Sequence, residues 1–281
     1  MPPPDTGFPL ADAQNDFLRA RRRQAVSRLA GRLRRTPDDV GLILPFEEVV
    51  AALGRTGERA RGLQAIQLES VVGTVDRTSD FDRQFRPTSS RVRSRWESIA
   101  EAERRGAAMP PISVYRIGGL HFVRDGHHRV SVARTLGRST IDAYVTEIDT
   151  RLSPTEAMTV GDLPLKSHER VFLERVPLAP EQAARIVLTD PWAYAQLAEG
   201  VEAWGFRLEQ DRRTMMDRHA VADAWFEQEY APVVELLREA DLLGSGTETE
   251  AYMRVASDRY RLLRTHSWSD DVITRLRESR G

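Results

Sequence analysis

The spacing of apolar positions changes near residue 64 and separates a helical start from a strand-rich middle. Before that point the pattern predicts a basic helix from Ala11 to about Arg35, on which apolar residues recur near helical spacing at Phe17, Leu18, Ala25, Leu29 and Leu33. The segment LPFEEVVAALG carries Pro45 near a helix start and Gly54 at its end, which predicts a second, short helix. The polar, glycine-containing stretch RTGERARG, residues 55–62, closes this helical segment, and a domain is expected to begin just after it.

The middle of the chain alternates between strand and helix patterns. AIQLESVVG begins with the alternation of Ile66 and Leu68, typical of a short strand. A helix is expected from about Ser90 to Arg105. In PPISVYRIGGLHFVRDG two alternating runs flank Gly118-Gly119, which predicts an antiparallel hairpin. The second run leads into DGHHR and a helix that ends near residue 137, and STIDAYVTEI predicts a further strand.

The last third of the chain carries helical patterns with aromatic residues among leucines. These aromatics are expected to anchor a core or an interface: Trp192, Tyr194, Trp204, Trp225, Phe226, Tyr230 and Tyr260. The sequence therefore predicts an α+β protein in three parts. They are a helical segment over 1–63, a small mixed-sheet domain over 64–150 and a mostly helical domain over 151–281.

Composition removes several classes of protein and site. The chain has no cysteine, so disulfides, thiolate metal sites and thiol nucleophiles are excluded. No apolar run approaches the roughly 20 residues that span a bilayer, and the first residues lack a secretion-signal pattern, so we expect a soluble cytoplasmic protein without a membrane partner. Lys166 is the single lysine and lies outside any Gly-rich GxxxxGK[ST] stretch, which excludes a P-loop.

The turn RDGHHR, residues 124–129, concentrates the candidate chemistry. At a strand-to-helix junction the first N–H groups of the helix lack intrahelical acceptors and favour an anion. Gly126 allows close approach of the backbone to an anion, Arg129 can bind phosphate oxygens, and His127 or His128 can add donors. Arg124, which precedes them, joins the candidate phosphate ligands.

Asp125 is the unusual member of this turn because bare phosphate would repel it. It either caps the helix or holds Mg²⁺ between its carboxylate and the phosphates. A metal-only site is disfavoured because HExxH spacing is absent. A purely structural role, with the histidines and Asp125 satisfying a buried turn, stays open.

The order of elements from IQLESVV through DGHHR to AYVTEI, within roughly residues 64–150, resembles the amino-terminal nucleotide-binding domain of the ParB and sulfiredoxin superfamily. That family places a G-x-x-R turn, here Gly126 to Arg129, between a hairpin and a helix. The resemblance implies a ParB/sulfiredoxin-like fold with Gly126, His127, His128 and Arg129 as a phosphate cradle. The bound nucleotide would be CTP, ATP or ADP, with Mg²⁺.

Three chemistries are known on this fold, and the sequence separates them. Sulfiredoxin activity needs a cysteine, and this chain has none. ParB uses CTP to switch a clamp on DNA, but its usual G-E-R-R turn is G-H-H-R here, and a clear recognition helix is missing. The ADP-dependent free-serine kinase has a similar DGHHR turn, and its resemblance places a catalytic carboxylate near Asp76.

Several residues compete for these roles. Glu69, Asp80 and Asp82 are alternatives to Asp76 as the catalytic carboxylate, and Asp125 is a second catalytic candidate through its metal. Arg77 is a candidate phosphate contact by resemblance to ParB.

The leading interpretation is a ParB-like regulatory switch that binds a nucleoside triphosphate and that, if it is an enzyme, hydrolyses it. The first alternative is a small-molecule kinase of the free-serine-kinase type, and the second is a non-catalytic interaction module. The base, the phosphoryl acceptor and the oligomeric state are left open by the sequence, with a homodimer through the carboxy-terminal helices as one expectation.

DNA binding is predicted to be weak and strongly salt-dependent. The formal net charge is −1, so contact with DNA would depend on the local RARRR segment, residues 19–23. Fluorescence anisotropy with a labelled duplex should show affinity falling steeply as salt rises from 50 to 200 mM, roughly, because each phosphate contact releases counterions. Tight, sequence-selective binding at physiological salt would contradict this expectation.

Overall fold

The computed structural model describes residues 5–35, 38–263, 268, 272 and 274–275. The strands are β1 (Leu44–Pro45), β2 (Arg55–Gln67), β3 (Val71–Thr74), β4 (Ile112–Ile117), β5 (Leu120–Asp125) and β6 (Thr140–Thr150). The helices are α1 (Pro9–Leu33), α2 (Phe46–Leu53), α3 (Arg93–Arg104), α4 (His127–Thr135), α5 (Leu163–Arg175), α6 (Pro180–Ala183), α7 (Pro191–Arg212), α8 (Arg218–Trp225), α9 (Ala231–Glu239) and α10 (Glu248–Leu263). A π-helical turn, Phe226–Tyr230, joins α8 to α9.

The chain divides into two compact units, residues 1–163 and 164–281. The first unit contains the sheet and the second is helical, so the predicted α+β class with a mixed sheet is confirmed. The predicted boundary between residues 63 and 64 falls inside β2, and β1 and α2 of the predicted amino-terminal segment belong to the first unit.

The sheet of the first unit has the order β1-β3-β5-β4-β6-β2. Strands β1, β3 and β5 are mutually parallel, β4 is antiparallel to β5 and parallel to β6, and β2 is antiparallel to β6. Only the three residues 68–70 connect β2 to β3, a span of about 14 Å at most. On a flat sheet these strands would lie about 19 Å apart, so the sheet is curled.

The hairpin, the helix after DGHHR and the last strand are confirmed, but two predictions for residues 55–70 are wrong. Residues 55–62, expected to close the helical amino-terminal segment, are the first half of β2, which lies at the edge of the sheet and pairs with β6. The residues of β2 are mostly exposed on both faces, and some of them, such as Arg59 with Asp149 at 2.5 Å, form ion pairs with β6. Because neither face of the strand is buried, its sequence shows no alternation of apolar and polar residues. The strand at Ile66 ends at Gln67, and Leu68 begins a 3₁₀ turn before β3.

Helix α1 is attached to α3 by charge as well as by apolar contact. Phe17 is buried and meets Trp96 edge-on at 5.5 Å, but the rest of the predicted apolar stripe is not buried; Leu33, for example, is 79% exposed. Instead Arg104 donates to Asp16 at 2.6 Å and lies 3.6 Å from Asp12, and all three side chains are buried. Burial raises the pKa of Asp16 despite the opposing effect of Arg104.

The second unit has its own core of aromatic and aliphatic side chains. Tyr194, Trp225, Phe226 and Tyr230 are buried in it as predicted. Trp204 is partly buried, while Trp192 and Tyr260 are exposed. Among the described residues, no helix has the length and apolar character needed to cross a membrane.

Substitution Asp16→Ala should destabilise the first unit by about 3 kcal/mol, because removing one partner of a buried ion pair leaves the other charge desolvated. Arg104 retains Asp12, which limits the loss. Urea unfolding monitored by tryptophan fluorescence measures the change. The matched control is Arg105→Ala, immediately after the same helix. This exposed residue is paired with Glu101, and its substitution should change stability by no more than about 0.5 kcal/mol. Equal stability of Asp16→Ala and wild type would contradict the role of this ion pair.

Candidate functional site

The parallel strands β3 and β5 end at the same edge of the sheet and bring two polar segments together. Thr74 ends β3 and leads into residues 75–77, while Asp125 ends β5 and leads through Gly126 into α4. Ligands of open α/β sheets bind beyond the carboxyl ends of such strands. The predicted turn and the predicted Asp76 loop are therefore neighbours, as the distance of 3.5 Å from His127 Nε2 to Asp76 Oδ1 shows.

The sequence predicts that Gly126 lets an anion approach the backbone, but the fold itself also requires a glycine at this position. Its φ of +102° lies in the left-handed region, and a Cβ there would overlap the side chain of Ile112 on β4, with Cβ atoms 2.8 Å apart. The glycine is buried. It thus allows close approach of Ile112 in addition to any anion beyond the turn.

His127 is a buried histidine with its ring nitrogens already engaged. Its Nε2 lies 2.7 Å from the Thr74 hydroxyl, and the backbone of Val123 also hydrogen-bonds the ring. Phe81 and Phe85 stack on the ring, each at 6.4 Å. Burial lowers its pKa, so the ring is neutral near pH 7 and accepts the Thr74 O–H at Nε2. His127 therefore positions the turn, and its ring does not offer a free donor.

His128 is the more accessible of the two histidines. It is half-buried and meets Phe81 edge-on at 5.5 Å. Burial lowers its pKa to about 4, with further lowering from Arg95, His127 and Arg77. The ring is therefore neutral at physiological pH and can donate one hydrogen bond without adding charge.

Arg129 and Asp125 form an ion pair at 2.7 Å, which changes both predicted roles. Arg129 also donates to the carbonyls of Pro110 and Pro111, and only 13% of its side chain is exposed. Its guanidinium thus holds the segment before β4 to the turn. Asp125 makes no capping hydrogen bond to α4, so the capping alternative is wrong. Its carboxylate is 68% exposed.

The structure distinguishes Asp76 from the competing carboxylates. Asp80 pairs with Arg77 at 3.1 Å, Asp82 accepts from Arg86, and Glu69 lies in the turn between β2 and β3. Asp76 is 62% exposed beside His127. Arg77 is half exposed next to it.

Arg124 lies over the ring of Tyr115 at 5.8 Å. Within the described ranges it makes no hydrogen bond or ion pair with the rest of the turn. Arg124 is therefore not held against the other predicted phosphate ligands of the turn.

Sequence reasoning missed four residues of this site: Thr74, Phe81, Phe85 and Arg95. Thr74 accepts from the backbone N–H groups of Asp76 and Arg77 at 3.3 and 3.1 Å while it pairs with His127. A threonine at a strand end followed by polar residues is a turn signal that could have identified it. The two phenylalanines had no periodicity to reveal that they are buried.

Metal ligands are sparse at the turn. Over the part of the chain that is described, no group of three histidine, aspartate or glutamate side chains is arranged to hold an ion. Asp76 and Asp125 are the carboxylates that could contribute to a Mg²⁺ shell, which in nucleotide sites is usually completed by phosphate oxygens and water.

Comparisons with known proteins give matches among solved structures. No protein-family model matches the chain, and no curated protein matches it. A solved structure described as the C2221 form of a Pnob8-like ParB-N domain is similar at 10% identity and a TM-score of 0.24, over 80% of this chain and 83% of that chain. The α+β class therefore rests on the sheet and helices described above.

His128 is expected to stay neutral well below the usual titration range of histidine. The unfolded chain binds a proton near pH 6.5 but the folded ring does so only near pH 4, so the contribution of this ring to stability is lost as pH falls through that window. In an NMR titration its C2 proton should not shift between pH 7.5 and 5.5, roughly. The His128→Gln variant assigns the signal, and a midpoint near 6.5 would contradict the burial described here.

Proposed function

We propose that the chain binds a nucleotide at the DGHHR turn and acts as a ParB-like regulatory switch. The phosphates would lie between the first turn of α4 and the loop of residues 75–77. The observation that carries this proposal is the meeting of these two polar segments at the shared carboxyl edge of β3 and β5. Hydrolysis of a bound nucleoside triphosphate is the enzymatic form of the same proposal.

The groups available to phosphate are the first N–H groups of α4, the His128 ring and the exposed Arg77. The helix begins without a side-chain cap, so its first amides have no such acceptor. Arg95 on α3 is close enough to lower the pKa of His128 and adds positive charge on the same side. Arg129 would act indirectly, by holding Asp125 and residues 110–111 in place.

The ion pair with Arg129 alters the argument for Mg²⁺. Because Arg129 already offsets the charge of Asp125, repulsion of phosphate by this carboxylate is weaker than the sequence suggested. Support for Mg²⁺ comes instead from two exposed carboxylates, Asp76 and Asp125, that both act electrostatically on His127. Oxygen ligands of this kind suit Mg²⁺ bound to nucleotide phosphates.

A small-molecule kinase is the second candidate, favoured by the position of Asp76. Its exposed carboxylate beside the turn could accept the proton of a substrate hydroxyl, as a general base requires. Such a kinase would transfer phosphate from a nucleotide to that hydroxyl. Dimerisation through the carboxy-terminal helices and contact with DNA stay predictions.

A nucleotide panel tests binding directly. ATP, ADP, CTP and GTP, with and without Mg²⁺, should include at least one ligand that raises the unfolding temperature. A ligand at 100 times its Kd adds about 2.7 kcal/mol to the free energy of unfolding. Arg77→Ala should raise the Kd for that ligand by about tenfold, because a charged hydrogen bond to phosphate is lost. No shift with any nucleotide would sink the proposal and favour an interaction module.

Asp125→Asn separates the metal-linked role from a structural one. Asparagine removes a negative charge from the Mg²⁺ shell, so nucleotide should still bind while its Mg²⁺ dependence and any turnover are lost. Stability should fall by no more than about 1 kcal/mol, because the pair with Arg129 is solvent-exposed on the aspartate side. Asp142→Asn, an exposed carboxylate on β6, is the matched control. Equal Mg²⁺ dependence in Asp125→Asn and wild type would rule out the metal-linked role.

The kinase would be favoured if the wild-type protein transferred phosphate to an added hydroxyl compound and the Asp76→Asn variant did not.

A further inference from the structure

A cavity of about 660 Å³ lies at the far end of α4 from the DGHHR turn. The two are separated by the length of the helix, about 12 Å at 1.5 Å per residue. The cavity is lined by five arginines: Arg23, Arg83, Arg86, Arg134 and Arg138. Its volume is within the range of small-ligand pockets.

Two of the five arginines have carboxylate partners. Arg86 pairs with Asp82 at 2.8 Å, and Arg138 pairs with Glu103 at 3.2 Å. Arg134 donates to the carbonyls of residues 68, 71 and 83, and so fixes the cavity wall without neutralising its own charge. Burial lowers the pKa of Arg134 to about 10, which leaves it charged at pH 7.

The remaining two, Arg23 and Arg83, have no carboxylate within ion-pair distance among the described residues. Two exposed glutamates, Glu69 and Glu156, also line the cavity. Asp162, which does not line the cavity, acts electrostatically on Arg83. Within the lining, three guanidinium groups without an ion-pair partner face two acidic side chains, so the lining favours an anion.

Arg83 is the most informative member of the lining. Its Nη1 is buried and makes no hydrogen bond to any described residue. Its backbone is held on both sides, since its N–H donates to the Gly41 carbonyl at 3.1 Å and its carbonyl accepts from Arg134 at 3.3 Å. A charged donor that is buried without a protein acceptor is costly, and a phosphate oxygen in the cavity would supply an acceptor for it.

The end of α4 does not oppose an anion here. The helix carbonyls of Ala133 and Arg134 already accept the N–H groups of residues 138 and 137, at 2.9 and 3.1 Å. These hydrogen bonds reduce the partial negative charge that the last carbonyls of the helix present to the cavity. The arginine side chains therefore make the largest contribution to the electrostatic potential there.

We propose that this cavity binds a small phosphate-bearing molecule, with Arg83 Nη1 donating to a phosphate oxygen. Arginine presents planar, forked donors that match phosphate oxygens. A concave site with a buried donor suits a compact phosphate ester better than a polymer backbone that passes over the surface. This site is separate from the DGHHR turn and does not depend on the function proposed there.

The substitution Arg83→Met tests the site because binding and stability should change in opposite directions. Methionine keeps much of the volume but removes the desolvated charge, so the free energy of unfolding in phosphate-free buffer should rise. Isothermal titration with inorganic phosphate should show Kd increased by at least about tenfold, as expected for loss of a charged hydrogen bond. Arg151→Met, an exposed arginine outside both sites, should change neither quantity.

Arg77→Ala, in the loop of residues 75–77 beside the DGHHR turn, distinguishes the two sites because it should leave this binding of inorganic phosphate intact. Four results would overturn the proposal: no phosphate binding by wild type, unchanged binding in Arg83→Met, lower stability of Arg83→Met, or loss of phosphate binding in Arg77→Ala alone. A DNA duplex is titrated in parallel. If wild type bound the duplex but not inorganic phosphate, and Arg83→Met abolished duplex binding, the ligand of the cavity would be a nucleic-acid backbone and the proposal of a small ligand would be wrong.

Discussion

The burial of the His127 ring is the constraint on which the site depends. A polar ring away from water needs hydrogen-bond partners, and it finds them in the Thr74 hydroxyl and the Val123 backbone. Thr74 in turn accepts from the N–H groups of residues 76 and 77. The end of β3, the end of β5 and the first turn of α4 are therefore held together by one connected set of hydrogen bonds, and the exposed Asp76 takes its position from them.

The segment 81–86 links this hydrogen-bonded set to the arginine-lined cavity. Phe81 and Phe85 face His127, while Arg83 and Arg86 line the cavity. To face both ways the turn places Phe85 at a φ of +56°, which costs roughly 1 to 2 kcal/mol for a residue with a Cβ. The strain is offset by burial of the phenyl ring and by the three hydrogen bonds that Asp82 accepts within the turn. One short loop thus shapes both surfaces.

Local patterns predicted those parts of the fold in which one face is buried. The hairpin at Gly118-Gly119, the helix after DGHHR and the alternating strand at Ile141 were readable because burial imposes a period. Strand β2 was missed because it is exposed on both faces and its pairing with β6 depends on residues about 80 positions away. The neighbourhood of Asp76 and the turn was expected from resemblance. Two features could not be predicted, because they are tertiary contacts that leave no pattern in the local sequence. They are the hydrogen bonds from Arg129 to the carbonyls of residues 110 and 111, and the contact with Ile112 that leaves no room for a Cβ at Gly126.

The central claim is that the shared edge of β3 and β5 binds nucleotide phosphates, and backbone hydrogen exchange with and without nucleotide and Mg²⁺ tests it most directly. Exchange measured by mass spectrometry reports which amides gain protection when a ligand is bound. The account predicts slower exchange in peptides that cover residues 74–77 and 126–130, with little change on β2 and β6. Unchanged exchange at those residues with every nucleotide, or protection confined to other parts of the chain, would contradict it.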